Sequence, residues 1–370
     1  MSPSKDSAHS DMEDDFRTRL VEEMYQEREH PEEGKESIKD DVLFSSKPST
    51  KSKSKKNSCS KVFDVKIPKD FPDVEVDMYK PEDWNENIRC HIPIVDVNYK
   101  FQPLQLLQLL VGLKLGDNIW ISGATGSGKS TLVEQVCART NRPFIRINGR
   151  GDMESGAIFG QYILEDGKTI WKDGACTEAV KQGMVYCQDE PTVLPPEIAM
   201  GYQWLLENNG KLMLTDKAGD TSEKLICPHD RFRFVCCDNT KGLGDESGAF
   251  AGTNVWNTAT LDRFGTSIQL DYLAKQHEVA ILKAKVDGIS DKLSDYMVQF
   301  ANLVRTSYMQ GNLSFTMSPR TLLSWGEKAM FYNSAKYALE VAFYHKLPND
   351  AEKLAVEEMY ATVFAERFNK

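Results

Sequence analysis

No stretch of this sequence stays apolar for anything near the roughly 20 residues that a membrane-spanning helix needs, so a helical membrane protein is not expected. The first residues, Met1-Ser2-Pro3-Ser4-Lys5-Asp6, lack the apolar core of a secretion signal. The expected location is the cytoplasm, a host's if the sequence is viral. The eight cysteines include no C-x-x-C pair, and Cys227-Pro228-His229 has no second half to complete a metal site. They read as reduced thiols, with Cys236 and Cys237 as small residues inside an apolar strand. Positive charge is also short. The net charge of −10 argues against non-specific nucleic-acid binding, although a local basic patch can coexist with it.

What is present falls into blocks. Residues 11–41 are dense in Asp and Glu, and Lys47 to Lys61 is almost entirely Ser and Lys. Such a segment cannot bury enough apolar surface to offset the entropy of ordering it. Residues 1–61 are therefore expected to form a disordered tail, with one short amphipathic helix around Phe16, Leu20, Val21 and Met24. The lysine run reads as a solvated tether or as a contact for an acidic partner or nucleic acid. Residues 62–102 are proline-punctuated and read as a lead-in arm packing on the core. Residues 103–274 alternate helix and strand. A helix is predicted over 103–115, then strands at Asn118–Ser122, Phe144–Ile147, Met184–Cys187, Phe232–Cys237 and Thr266–Leu270, with a helix at Pro196–Asn208. That alternation predicts an α/β sandwich, a parallel sheet covered on both faces. Two hairpins look inserted, one turning at Asp166-Gly167 and one pairing Lys211–Thr215 with Lys224–Cys227. Residues 275–370 read as a small all-helical C-terminal domain, with helix starts at Ser318-Pro319 and Pro348-Asn349-Asp350.

The chemistry is carried by Gly123-Ala124-Thr125-Gly126-Ser127-Gly128-Lys129-Ser130, a full G-x-x-x-x-G-K-[ST] match between a predicted strand and a predicted helix. The glycines let backbone N–H groups turn inward around phosphates, and the helix N-terminus adds partial positive charge. Lys129 is placed to reach the β- and γ-phosphates and Ser130 to ligate Mg²⁺, with Thr131 completing the candidate ATP-binding set. The strand Met184–Cys187 runs through Gln188, where an apolar residue is more usual, to Asp189-Glu190. Asp189 suits the Mg²⁺ shell, and Glu190 suits polarising an attacking water. Asn239, at the tip of the strand ending in Cys237, can orient that water or merely cap a turn. Arg263 can stabilise phosphoryl charge, or form a surface ion pair with Asp262 or another carboxylate. Arg320 lies in the first turn of a predicted helix, where an exposed arginine is also ordinary.

The order of these signals is that of AAA+ ATPases; simple P-loop kinases lack the Asn239, Arg263 and Arg320 series. From about residue 92 onward the chain resembles the CobS-like family, the AAA+ subunits of aerobic cobaltochelatases within the MoxR-like group. The stretches that carry the resemblance are Ile94–Phe101, Gly242–Asp245 with Gly252-Thr253, Leu261–Phe264 and Met317–Trp325. MoxR-like relatives carry hairpins at the two inserted positions. The resemblance implies ATP and Mg²⁺ as cofactors and a homo-oligomeric ring, usually hexameric, with ATP at subunit interfaces. By it Asn239 is sensor 1, Arg263 the finger reaching a neighbour's nucleotide, and Arg320 sensor 2. It implies two partners, a CobT-like von Willebrand A-domain protein and a large chelatase subunit that inserts Co²⁺ into a corrin ring. The expected function is ATP hydrolysis that remodels or activates a partner. The alternatives are an AAA+ motor on nucleic acid or another protein client, and an ATP-gated scaffold that does not turn over.

Overall fold

The computed structural model describes residues 57–244 and 252–365. The helix expected around Phe16 and most of the expected tail lie outside the described residues. The tail's predicted end does not hold. Cys59–Val62 form a helical turn, Cys59 is fully buried, and the Cys59 N–H donates to the Val74 carbonyl. One small apolar side chain, hidden among serines and lysines, anchors the chain there.

In chain order the strands are β1 (Ile119–Ser122), β2 (Phe144–Asn148), β3 (Gly160–Glu165), β4 (Lys168–Asp173), β5 (Val185–Asp189), β6 (Leu212–Met213), β7 (Leu225–Ile226), β8 (Arg233–Asp238) and β9 (Thr266–Gln269). Five of them form one parallel sheet in the order β2-β5-β8-β1-β9. Alternate residues of each strand point to opposite faces, and the two faces seed two cores. Ile119, Ile121, Val185, Cys187, Val235 and Cys237 enter one, with α1 (Pro103–Leu115) and α2 (Lys129–Thr140) packed on it. Trp120, Tyr186, Phe234 and Cys236 enter the other, against α3 (Ala175–Gln182) and α4 (Pro196–Gly201). The result is the AAA+ αβα sandwich.

Both inserted hairpins form, β3 with β4 and β6 with β7. The helix predicted to run from Pro196 to Asn208 stops at Gly201. There the ring of Phe159 comes within 2.6 Å of where a Cβ would stand, and the chain continues as turns that still bury Tyr202, Leu205 and Leu206. Burial is thus kept while helical regularity is lost. Within residues 62–102, Trp84 is buried and its Nε1 donates to the Asn141 carbonyl at 2.7 Å.

The C-terminal helices are α5 (Lys275–Lys285), α6 (Asp291–Met309), α7 (Pro319–Tyr332), α8 (Ala335–Ala342) and α9 (Asp350–Phe364). They enclose a separate core around Met297, Phe300, Val304, Leu322, Trp325 and Tyr360. Side-chain caps start α7 and α9: Ser318 Oγ accepts from Thr321 N–H and Asn349 Oδ1 from Glu352 N–H. Among the described residues no helix is long and apolar enough to cross a membrane.

Candidate functional site

The phosphate loop leaves the C-terminal end of β1 and enters α2 at Lys129. Its glycines are demanded by contact. A Cβ on Gly123 would stand 2.1 Å from the Leu270 carbonyl oxygen, and one on Gly126, whose φ is +75°, 2.5 Å from Ser318 Cβ. The second contact brings the start of α7 against the loop. Arg320, two residues further on, is exposed, and no contact among the described residues ties it to the loop. The cradle also holds a polar atom with no protein partner: Ser127 Oγ is buried and unbonded. A buried hydroxyl without a partner is costly, and a phosphate oxygen is a fitting one.

Lys129 is 8% exposed. Its Nζ donates to the carbonyls of Gly123 (2.8 Å) and Ala124 (3.1 Å) and to Asn239 Oδ1 (2.6 Å). The sheet thus brings the strand-tip amide of β8 to the lysine of the loop after β1, its neighbour. Burial pushes the Lys129 ammonium below its usual pKa, against the pull of Asp189, Asp238 and Glu190. Asp189 and Asp238 close β5 and β8, so these carboxylates and the ammonium gather at the C-terminal end of the sheet.

Asp189 closes β5 and is buried, its carboxylate paired with Arg146 from the adjacent β2. Glu190 follows with φ +52°, a left-handed conformation that costs a non-glycine residue free energy. Its N–H donates to the Cys237 carbonyl at 2.8 Å, and its carbonyl presses on Gly149, where a Cβ would stand 2.1 Å away. Partial burial and the Asp189 charge raise the Glu190 carboxyl above its ordinary pKa, opposed by Lys129 and Arg146. Ser130 and Asp189 offer a hydroxyl and a carboxylate, the hard oxygen donors Mg²⁺ accepts while keeping most of its water. The donor types fit that ion, with the Asp189 carboxylate paired to Arg146 in this structure.

Several contributors are absent from any motif. Asp238, buried, accepts from Thr240 N–H, Thr240 Oγ1, Gly242 N–H and Thr192 Oγ1 at 2.7–3.0 Å. It fixes the Asn239 turn and ties it to the chain just after Glu190. Gln188, the apparent flaw in its strand, is fully buried. Its Oε1 accepts from Tyr186 Oη (2.8 Å) and Tyr202 Oη (3.0 Å), and its Nε2 donates to the Ile147 carbonyl (3.2 Å). The polar residue is tolerated because its hydrogen bonds are met.

Arg263 does not join this cluster. It precedes β9, parallel to β1, and so lies at the opposite end of strands about 13 Å long, four residues at ~3.3 Å each. It borders an open cleft of about 930 Å³ with Asn118, Asn209 and Arg233. Its guanidinium donates to the Ala259 carbonyl (2.6 Å) and pairs with Glu207 (3.0 Å) rather than Asp262.

The chain matches two family models, the AAA domain of the dynein-related subfamily over residues 118–264 and the CbbQ/NirQ/NorQ C-terminal domain over 278–363. It is 34% identical to the aerobic cobaltochelatase subunit CobS of Sinorhizobium sp. over 283 residues, covering 74% of this chain and 83% of that protein. It is 26% identical to midasin of Dictyostelium discoideum over 77% of this chain and 5% of that much larger protein. It is 24% identical to the NorQ protein of Paracoccus denitrificans over 66% of this chain and 86% of that one.

Proposed function

The chain belongs to the CobS family of AAA+ ATPases, and we propose that it works as a ring whose ATP sites are completed across subunit contacts, driving a metal-chelatase partner. The observation that carries this reading is the division of the predicted machinery. Lys129, Asn239, Asp189 and Glu190 meet at one end of the sheet, and Arg263 stands alone at the other. A single subunit cannot bring Arg263 to its own phosphate loop; a neighbour can.

In this reading the loop's N–H groups, apart from that of Ser127, which is bonded to the Ala124 carbonyl, hold the phosphates together with the Ser127 hydroxyl and Lys129. Lys129 exchanges its bonds to the Gly123 and Ala124 carbonyls for bonds to phosphate oxygens. Thr131 sits in the same first turn of α2. Mg²⁺, held through Ser130 and Asp189, neutralises phosphate charge when bound. Glu190 takes the proton of the attacking water as the γ-phosphoryl bond to the leaving oxygen breaks. Asn239, steadied by Asp238, orients that water. Arg320 reaches in from the lid, and the neighbour's Arg263 meets the charge that builds in the transition state. A hexamer is the ring the family implies. The clients it implies are a von Willebrand A-domain protein and a large chelatase subunit inserting Co²⁺ into a corrin ring.

Mixing decides the cross-subunit part. Arg263→Ala and Lys129→Ala proteins, each inactive, should regain turnover when co-assembled, since some interfaces then combine an intact Lys129 with an intact Arg263. No recovery in verified mixed rings would sink it. For the client, the Glu190→Gln protein with ATP should retain a chelatase subunit and its von Willebrand A-domain partner from a native extract. Retention of unrelated clients would leave the ATPase and remove the chelatase role.

A further inference from the structure

Tyr272 lies in the link between β9 and α5, outside every motif that marks the site. Its Oη is 2.9 Å from the carbonyl oxygen of Thr125, in the middle of the phosphate loop, and 3.5 Å from Thr316 Oγ1. Burial pushes the Tyr272 hydroxyl above its ordinary pKa, so it stays protonated and donates to that carbonyl.

A loop that turns its N–H groups inward to an anion must turn carbonyls outward, and outward carbonyls need donors of their own. The peptide unit is planar and trans, so its C=O and N–H point in opposite directions. Fixing the Thr125 carbonyl on Tyr272 therefore aims the Gly126 N–H away from Tyr272.

Tyr272 is itself braced by the lid. The Arg305 guanidinium, from α6, stacks over its ring at 4.0 Å. Arg305 is 3% exposed and makes a two-pronged pair with Glu278 of α5, at 2.6 and 2.9 Å. Its Nε donates to the Met317 carbonyl at 2.8 Å. Met317 directly precedes Ser318, the residue packed on Gly126. One buried guanidinium thus contacts Tyr272, in the link to the lid, and the residue before Ser318, at the start of α7.

We propose that Tyr272 is a positioning residue for the phosphate loop, its hydroxyl held in place by the Arg305–Glu278 pair, so that the placement of the helical lid sets the loop's grip on nucleotide phosphates. This rests on the reading of residues 123–130 as the ATP site. The test uses the full chain. Tyr272→Phe removes one hydroxyl and keeps the ring under Arg305. KM for ATP and Kd for ADP should rise roughly 2- to 10-fold, the range one net hydrogen bond supplies, while kcat at saturating ATP and Tm stay unchanged. Arg305→Lys keeps the charge but not the fork, and should move KM the same way. The double variant should be no worse than the worse single one, because both act on one contact. Unchanged nucleotide affinity in Tyr272→Phe, with Lys129→Ala still losing binding, would overturn the proposal and leave the ATP site intact. A lowered Tm with kcat and KM both disturbed would mark a packing role and overturn it too. Effects that multiply in the double variant would overturn the bracing by Arg305. Normal ADP binding in Lys129→Ala would remove the ATP-site reading and this proposal with it.

Discussion

At the C-terminal end of the sheet, Lys129, Asp189 and Asp238 are buried and each is tied to named partners. At the N-terminal end, Arg263 borders an open cleft, held by one carbonyl and by Glu207, a half-exposed carboxylate. An exposed ion pair of that kind contributes about 0–1 kcal/mol, so Arg263 can leave it cheaply. The first end is organised by its own subunit. The second is more loosely held, which the proposed role of Arg263 in a neighbour's site requires.

The comparison breaks at once if the loosely held end is idle. Arg263→Ala should lower turnover in the assembled protein on the order of 10³-fold, the low end for an arginine acting in trans, with ATP affinity kept; steady-state hydrolysis beside nucleotide binding checks both. Normal turnover would make the Glu207 pair the whole role of Arg263. Glu190→Gln tests the other end and should cost about 10²-fold or more in kcat while ATP still binds. Lys129→Ala should instead weaken ATP binding, by roughly 10- to 100-fold for a lost charge-assisted hydrogen bond, read by calorimetry. Gln188→Leu sharpens the contrast on stability. Tyr186 and Tyr202 keep their mutual 2.8 Å contact but lose a shared acceptor, so unfolding free energy should fall by about 1–3 kcal/mol, measured by denaturant titration. Asp96→Asn is the smallest change. It weakens the half-exposed Asp96–Lys285 pair between arm and lid and should shift stability by under about 1 kcal/mol.

The phosphate loop and the strands carrying Asp189 and Asn239 were legible because they rest on local pattern: an apolar run, a glycine turn, a helix start. The lid was legible for the same reason, through the Ser318 and Asn349 caps. What stayed hidden depends on distance along the chain. Arg146 meets Asp189 only because β2 and β5 are neighbours in the sheet, and Tyr272 reaches Thr125 across 147 residues. No spacing rule marks either. Gln188 looked like a flaw because the tyrosines that satisfy it lie on β5 and beyond α4. The helix from Pro196 ended early at a glycine, and the Phe159 ring that leaves no room there for a Cβ comes from another segment. Cys59 was lost in the composition of its surroundings, where a single buried thiol outweighs the polar average.

Asp238 gathers four hydrogen bonds and through Thr192 ties the tip of β8 to the segment that follows Glu190. Two strand ends are thereby locked into one stiff piece. A stiff piece cannot absorb the arrival or loss of a phosphate by local yielding. A single buried carboxylate thus couples two strand ends through a contact between residues 46 apart in the sequence.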